Sequence, residues 1–298
     1  MTTGLRIAVT ADLHYGGARG RGDAATRELA AFLAERPPDV LILAGDVGTQ
    51  EHFDQCLALF ADLPGRKALV PGNHDIWVTA DDPRGDSLRV YREHLPAVCA
   101  AHGFHYLDAG PLLLPEASLA LVGSINWYDY SWSLDRLRAQ LPAWEVYLRE
   151  MRFTRGGRHN DRRFVRWPLD DVRFTAEVVA ALERHLSEAL AQAERALVVT
   201  HHPPFFGLNY PAASDEPPST DRLLWEAFSG NRALEEVLGR FAERVPFIFC
   251  GHTHRARENA LGPSRGYNVG GDYHFKRLLL LDWPAGTVEA HVFGEPDP

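Results

Sequence analysis

Six short apolar runs, each long enough for a strand and too short for a buried helix, constrain this chain more than any other feature. They are Leu5–Thr10, Val40–Ala44, Lys67–Val70, Leu119–Val122, Ala196–Thr200 and Pro246–Cys250, and their β-branched content reads as strands buried on both faces. Between them, helical patterns cover Ala24–Arg36, Glu51–Leu63, Ser87–His102, Arg173–Glu194 and Asp221–Glu243, with Pro96 breaking the pattern of the third. Strands alternating with helices predict a layered α/β fold. Near the C-terminus, Lys276–Trp283 and Thr287–Phe293 flank Pro284-Ala285-Gly286 and read as a β-hairpin. The sheet is therefore expected to be mixed, with room for a second sheet packed on the first.

Five of the six strands run into similar residues. Leu5–Thr10 leads to Asp12-Leu13-His14, Val40–Ala44 to Gly45-Asp46, and Lys67–Val70 through Pro71 to Gly72-Asn73-His74-Asp75. Ala196–Thr200 is followed by His201-His202-Pro203-Pro204, and Pro246–Cys250 by Gly251-His252-Thr253-His254. Ligands of α/β sheets sit at the carboxyl ends of the strands, so the expectation is that all five deliver Asp, Asn and His to one edge of one sheet. Each block alone has a plainer reading. A strand-end Asp or Asn caps a helix or makes a turn, and a lone His-x-His is usually surface or core. In series, after successive strands, the blocks point to a site. Carboxylates, imidazoles and one amide, with no thiolate, suit manganese, iron or zinc. Seven candidate ligands are too many for one tetrahedral ion and enough for two ions sharing a carboxylate. Two ions roughly 3.5–4 Å apart clamp a phosphoryl group and hold a bridging hydroxide that forms near neutral pH.

The series Asp12-x-His14, Gly45-Asp46, Gly72-Asn73-His74-Asp75, His201 and Gly251-His252-x-His254 resembles the calcineurin-like metallophosphoesterase superfamily, in order over residues 5–275. The resemblance implies a four-layer α/β/β/α sandwich with mixed sheets, formed by residues 1–298 as one domain, and a dinuclear centre at the sheet edge. It implies that Asp12, His14 and His254 hold the first metal and that Asn73, His201 and His252 hold the second. Asp46 would bridge both. His74 is implied to touch the scissile phosphate and to protonate or stabilise the leaving oxygen, and Asp75 to orient and charge its imidazole. His202 is left to line the site. The protein Ser/Thr phosphatases of this superfamily carry Asp-Arg-Gly after the second block and Glu after Asn-His. Here the second block reads Asp46-Val47-Gly48-Thr49-Gln50 and the third ends in Asp75, which argues against a protein phosphatase.

Specificity is expected to lie outside these blocks. Residues 124–171 form an insertion that opens Asn126-Trp127-Tyr128-Asp129-Tyr130-Ser131-Trp132, and the stretch Arg136–Arg173 holds ten arginines against five acids. One reading is a cap presenting arginines to anionic groups and aromatics to a base or acyl chain. The other is a solvated helix over Leu134–Met151 above a satellite core. A second candidate lid is Gly207–Asp221, with Phe205, Phe206 and Tyr210 near its start as possible pocket walls. Asn268-Val269-Gly270-Gly271 reads as a tight turn closing the fold.

The 31 Lys+Arg against 40 Asp+Glu leave a net charge of -9, which disfavours a nucleic-acid partner because such surfaces are usually basic. Three separated cysteines and no signal-like N-terminus suggest a cytoplasmic protein, and no apolar stretch is long enough to span a membrane. The leading expectation is a metal-dependent phosphoester hydrolase that uses two divalent or trivalent ions on a small-molecule substrate, as a phosphodiesterase or a broad phosphatase. A nuclease is the alternative that the arginine-rich insertion keeps open. A non-catalytic scaffold is the third, disfavoured because every ligand position is filled.

Overall fold

The computed structural model describes residues 4–210 and 218–295. Its strands are β1 (Leu5–Thr10), β2 (Val40–Ala44), β3 (Arg66–Val70), β4 (Phe104–Tyr106), β5 (Leu112–Leu114), β6 (Leu119–Ser124), β7 (Arg195–Thr200), β8 (Phe247–Cys250), β9 (Arg257–Leu261), β10 (Ser264–Asn268), β11 (Lys276–Trp283) and β12 (Thr287–Phe293). They form two six-stranded sheets, ordered β12-β11-β1-β2-β3-β4 and β5-β6-β7-β8-β10-β9. β1, β2 and β3 are parallel, whereas β11 pairs antiparallel with β1 and β12 with β11. The first sheet is therefore mixed. So is the second, in which β6, β7, β8 and β10 run parallel and β5 and β9 lie antiparallel at its edges.

Period-two alternation divides the strand residues among three apolar layers. Ile7, Val9, Val40 and Ile42 meet Leu119, Leu121, Leu197, Val199 and Phe249 between the sheets. Ala8, Leu41, Leu43 and Leu69 face the helices of the first sheet, against Leu29, Leu33, Phe53 and Leu57. Val122, Val198 and Ile248 face Leu182, Leu186, Leu234 and Leu238 on the far side of the second. Both sheets are thus covered on each face, which is the four-layer arrangement, and each fully buried aliphatic side chain contributes about 1.5–3 kcal/mol.

Three helical expectations change in detail. The segment after Asp86 forms helix over Ser87–Arg89, a π turn over Val90–His94 and helix again over Leu95–Ala101. Pro96 offers no N–H to the preceding turn, and the wider turn sits where that bond is missing. The expected helix over Leu134–Met151 is broken into Leu134–Gln140 and Trp144–Arg149 at Leu141-Pro142, with Ala143 at φ +55°. Asp221–Glu243 divides into Thr220–Ala227 and Arg232–Phe241. At that break Asn231 caps the second helix by accepting from Leu234 N (2.8 Å), while its amide donates to Asn126 Oδ1 and Trp127 O (2.8 Å each). The strands β4, β5, β9 and β10 were absent from the expectation: β4 and β5 carry only three residues each, and β9 (RENAL) and β10 (SRGYN) hold no apolar run.

One placement is corrected outright. The five strands that precede the candidate ligands do not share a sheet: β1, β2 and β3 belong to the first and β7 and β8 to the second. Their carboxyl ends meet where the two sheets abut.

Candidate metal centre

The five post-strand loops are laced together by backbone bonds. Asp12 N donates to Gly45 O (3.0 Å), His14 N to Asp46 O (2.8 Å) and Gly251 N to His201 O (3.0 Å). The two sheets are joined by His252 N, which donates to Asp12 Oδ1 (2.9 Å). Such tight turns force unusual dihedrals. Asp12, His14, Asp46, His252 and His254 all sit in the left-handed region, with φ between 43° and 73°. Each such non-glycine residue costs about 1–3 kcal/mol, and this strain clusters where function demands it. Two glycines are required by close approach. A Cβ on Gly72 would lie 2.1 Å from Asp46 Oδ1, and one on Gly45 (φ +87°) would lie 2.4 Å from His201 Nδ1.

Donor atoms of Asp12, His14, Asp46 and His254 all lie within 4.8 Å of one another. His14 Nε2 is 2.9 Å from His254 Nε2 and 3.6 Å from Asp46 Oδ2, and His254 Nε2 is 3.6 Å from Asp12 Oδ1. On the other side of Asp46, its Oδ1 is 3.3 Å from His201 Nε2, which is itself 3.1 Å from Asn73 Oδ1. His201 is fixed from behind through Nδ1 on Ala44 O (3.0 Å). The His252 ring lies 5.3 Å from that of His201 and 4.1 Å from that of His202.

Burial dominates the electrostatics. It lowers His14 and His252 well below the ordinary imidazole range, and it lowers His254 against the pull of Asp12. It also raises Asp12, with His254 and His201 pulling the other way. Asp46 stays well below the usual carboxylate range because His201 and His74 outweigh its burial. Burial likewise works to lower His201, but Asp46 lifts it to about 9. The imidazoles of His14, His252 and His254 are thus held neutral beside the carboxylates, and the buried Asp12 Oδ2 has no hydrogen-bond partner among the described residues. Facing ring nitrogens beside an orphaned carboxylate oxygen are lone pairs aimed at one point. The donor set fits a borderline metal cation there.

His74 stands at the edge of this cluster, its side chain 16% exposed and its Nε2 3.9 Å from Asp46 Oδ2. Its ring stacks on Trp77 at 3.6 Å, and burial lowers its pKa despite Asp46 and Asp161. Asp75 does not meet the expectation that it orients His74. Its carboxylate accepts from Gly48 N (2.9 Å) and Gly72 N (2.7 Å) and so staples the second loop to the third. Burial and the nearby Asp46 push it up to about 7. His202 is buried, held by Ile125 O (3.3 Å), and burial lowers it to about 3.

Several residues of the site gave no sequence signal. Asp161, from the insertion, is fully buried and accepts from Asn73 Nδ2 (2.9 Å), Trp77 Nε1 (2.7 Å) and Tyr128 OH (3.0 Å), with His159 Nδ1 at 3.3 Å. Burial alone would raise this carboxyl, but His159 and the donated bonds hold it well below the usual range. By pinning the Asn73 amide nitrogen, Asp161 turns the amide oxygen toward His201. Tyr273 stacks on the His14 ring at 4.1 Å.

Above the cluster lies a cavity of about 260 Å³, lined by Asp46, His74, His252 and His254 below and by Trp77, Phe153, Arg158, Tyr210, Trp225 and Tyr273 around it. The insertion thus reaches the site through residues 153–161. Its opening aromatics Trp127 and Tyr128 belong to the core instead. Of the three residues expected near the second lid, Tyr210 lines the cavity, whereas Phe205 is buried against Gly266 and Phe206 faces Trp132. Residues 211–217 of that segment lie outside the described residues. Asn268, read as part of a turn, ends β10, and its amide donates to Gly251 O and Thr253 Oγ1 (2.9 Å each), bracing the loop that carries His252 and His254.

Residues 5–256 match the family model described as calcineurin-like phosphoesterase. No curated protein matches the sequence. Among solved structures, the chain is similar to a phosphopantetheinyl hydrolase from Mycobacterium tuberculosis, at 20% identity and TM-score 0.64 over 90% of this chain and 89% of that one. It is also similar to a dimetal phosphatase from Danio rerio, at 14% identity and TM-score 0.55 over 98% and 99% of the two chains. At these identities the likeness is one of fold.

Proposed function

This chain belongs to the calcineurin-like phosphoesterases, hydrolases of phosphoester bonds, and on that premise we propose a two-metal site with divided labour among its ligands. Asp12, His14 and His254 hold one ion, Asn73, His201 and His252 hold the other, and Asp46 joins them. The observation that carries this reading is the position of Asp46. One of its carboxylate oxygens is 3.6 Å from His14 Nε2 and the other 3.3 Å from His201 Nε2, so a single side chain faces both donor sets. Manganese, iron and zinc suit these donors. When bound, such a pair supplies Lewis acidity that makes water nucleophilic near neutral pH and neutralises phosphoryl oxygens.

The chain's own residues do the rest. His74, held flat against Trp77, presents Nε2 at the cavity floor as the donor to the leaving oxygen. Asp161 keeps the Asn73 amide in register, the task of a carboxylate behind a ligand. The aromatic walls receive the organic part of a small-molecule phosphoester and exclude bulk water. We read the chain as a phosphodiesterase or broad small-molecule phosphatase acting in a reducing, cytoplasmic setting; its three cysteines are buried and unpaired.

The test is turnover by manganese-loaded protein of p-nitrophenyl phosphate, its bis ester and a phosphopantetheinyl ester, before and after chelation. Hydrolysis that disappears with chelator and returns with metal is expected. Protein that demonstrably carries two ions yet hydrolyses none of the three would refute the proposal.

A further inference from the structure

Beside the cavity runs a second groove, of about 570 Å³, that the proposed chemistry does not use. It is lined by Arg158, Arg162, Arg163 and Arg166, with Asn160 and Trp167 between them. Four guanidinium groups here face little opposing charge. Glu150 lies 3.4 Å from Arg158 and 3.8 Å from Arg162, while Arg163 and Arg166 have no carboxylate partner among the described residues. In a chain of net charge -9, this is a concentrated positive surface, and guanidinium forks match phosphate oxygens in shape and charge.

The groove is coupled to the site in two ways. Arg158 and Asn160 line both the groove and the cavity over the metal ligands. A single stack of planar groups also joins them: Arg163 lies over the Phe164 ring (5.0 Å), Phe164 stacks on Trp77 (4.8 Å), and Trp77 stacks on His74 (3.6 Å). The segment bearing the arginines is anchored, because Phe164 O accepts from Val78 N (2.9 Å) and Arg166 O from Ser87 N (2.8 Å), while Arg166 N donates to Ser87 Oγ (2.9 Å). A rigidly mounted cluster of this kind loses little ordering entropy on binding.

We propose that this groove is a subsite for a second phosphate group of the substrate, so that the preferred substrates are small phosphoesters carrying another phosphate beyond the scissile one. The inference rests on the hydrolase reading above. A single carboxylate would leave most of the arginine charge unanswered, whereas a dianionic phosphate meets it. A nucleic-acid strand is less well matched, because the basic surface is confined to one short segment of an acidic protein.

The experiment compares a matched pair, adenosine 5′-monophosphate and adenosine 3′,5′-bisphosphate, with manganese-loaded wild-type protein and an Arg163→Gln/Arg166→Gln variant. The bisphosphate is expected to show a KM lower by about tenfold, the worth of one net charge-assisted contact. That advantage should shrink as salt rises and vanish in the double variant, while the monophosphate KM stays within about twofold. Equal KM values for the pair in the wild type, or an advantage that survives the double substitution, would overturn the proposal. So would salt-sensitive binding of a single-stranded oligonucleotide that is lost in the variant without any bisphosphate preference. That outcome would give the groove to nucleic acid. If neither nucleotide is turned over, the hydrolase reading is decided by the three esters of its own test. The groove is then judged by calorimetric Kd values of the same two nucleotides, where a bisphosphate preference abolished by the double variant still supports the subsite and its absence removes it.

Discussion

Replacing Asp161 probes whether the insertion is part of the metal centre or only covers it. This buried carboxylate accepts hydrogen bonds from Asn73 Nδ2, Trp77 Nε1 and Tyr128 OH. Asp161→Ala would leave three buried donors unpartnered, at about 1–3 kcal/mol each, a total comparable with the whole stability of many domains. That variant would report folding rather than function. Asp161→Asn is the cleaner change, because its amide oxygen has two lone pairs and can still receive both Asn73 and Trp77. What is lost is the charge that holds the Asn73 amide nitrogen and the fit to Tyr128 and His159. The expected cost is about 1–3 kcal/mol in stability, together with a fall of roughly 10–100-fold in affinity for the ion proposed to sit on Asn73, His201 and His252. The ion proposed for Asp12, His14 and His254 should bind as before. Competition titration with a chromogenic chelator, alongside metal analysis of the dialysed protein, separates the two sites. Two equally weakened sites, or unchanged affinities with lowered stability, would refute the idea that Asp161 acts through Asn73.

Four further outcomes are expected. Asp46→Asn should lower the occupancy of both metals, measured as metal per chain, because it removes the carboxylate that faces both donor sets. His74→Ala should leave metal content near that of the wild type and cut turnover by roughly 10²–10⁴; loss of an ion would show that His74 is a ligand instead. Gly72→Ala should weaken metal binding and lower thermal stability, since its Cβ would fall 2.1 Å from Asp46 Oδ1. The fourth concerns Asp108, whose pKa burial raises to about 6 although Ile125 N and Tyr91 OH donate to it. The folded chain therefore holds this proton more tightly than the unfolded one. Its contribution is most favourable below about pH 4 and is lost as pH climbs through 6, a change of about 3 kcal/mol. Denaturant titrations of wild type and Asp108→Asn across that window should differ in slope with pH.

Much of the candidate site was readable along the chain because each candidate ligand follows its strand by only a few residues. Asp12, Asp46, Asn73, His201 and His252 are carried to the carboxyl ends of β1, β2, β3, β7 and β8 by strand direction alone. The terminal hairpin was readable for a similar reason: β11 and β12 are long and their turn is short. Asp75 shows where adjacency misleads. It neighbours His74 in sequence, but within the turn over residues 73–76 its carboxylate closes on the N–H groups of Gly48 and Gly72 instead. Helix breaks at Leu141-Pro142 and at Asn231 were local events hidden under a continuing apolar period.

The sequence by itself determined the chemistry: which donor types exist, the strand that delivers each, and the absence of the arginine that a protein phosphatase carries. Those are short-range matters, settled by residue identity and strand polarity. Only the tertiary structure decided that the ligands come from two sheets, that Asp161 of the insertion stands behind Asn73, and that a ring stack ties His74 to an arginine groove. These contacts span tens to hundreds of residues along the chain. They depend on how the two sheets pack against each other, a geometry that no local pattern encodes.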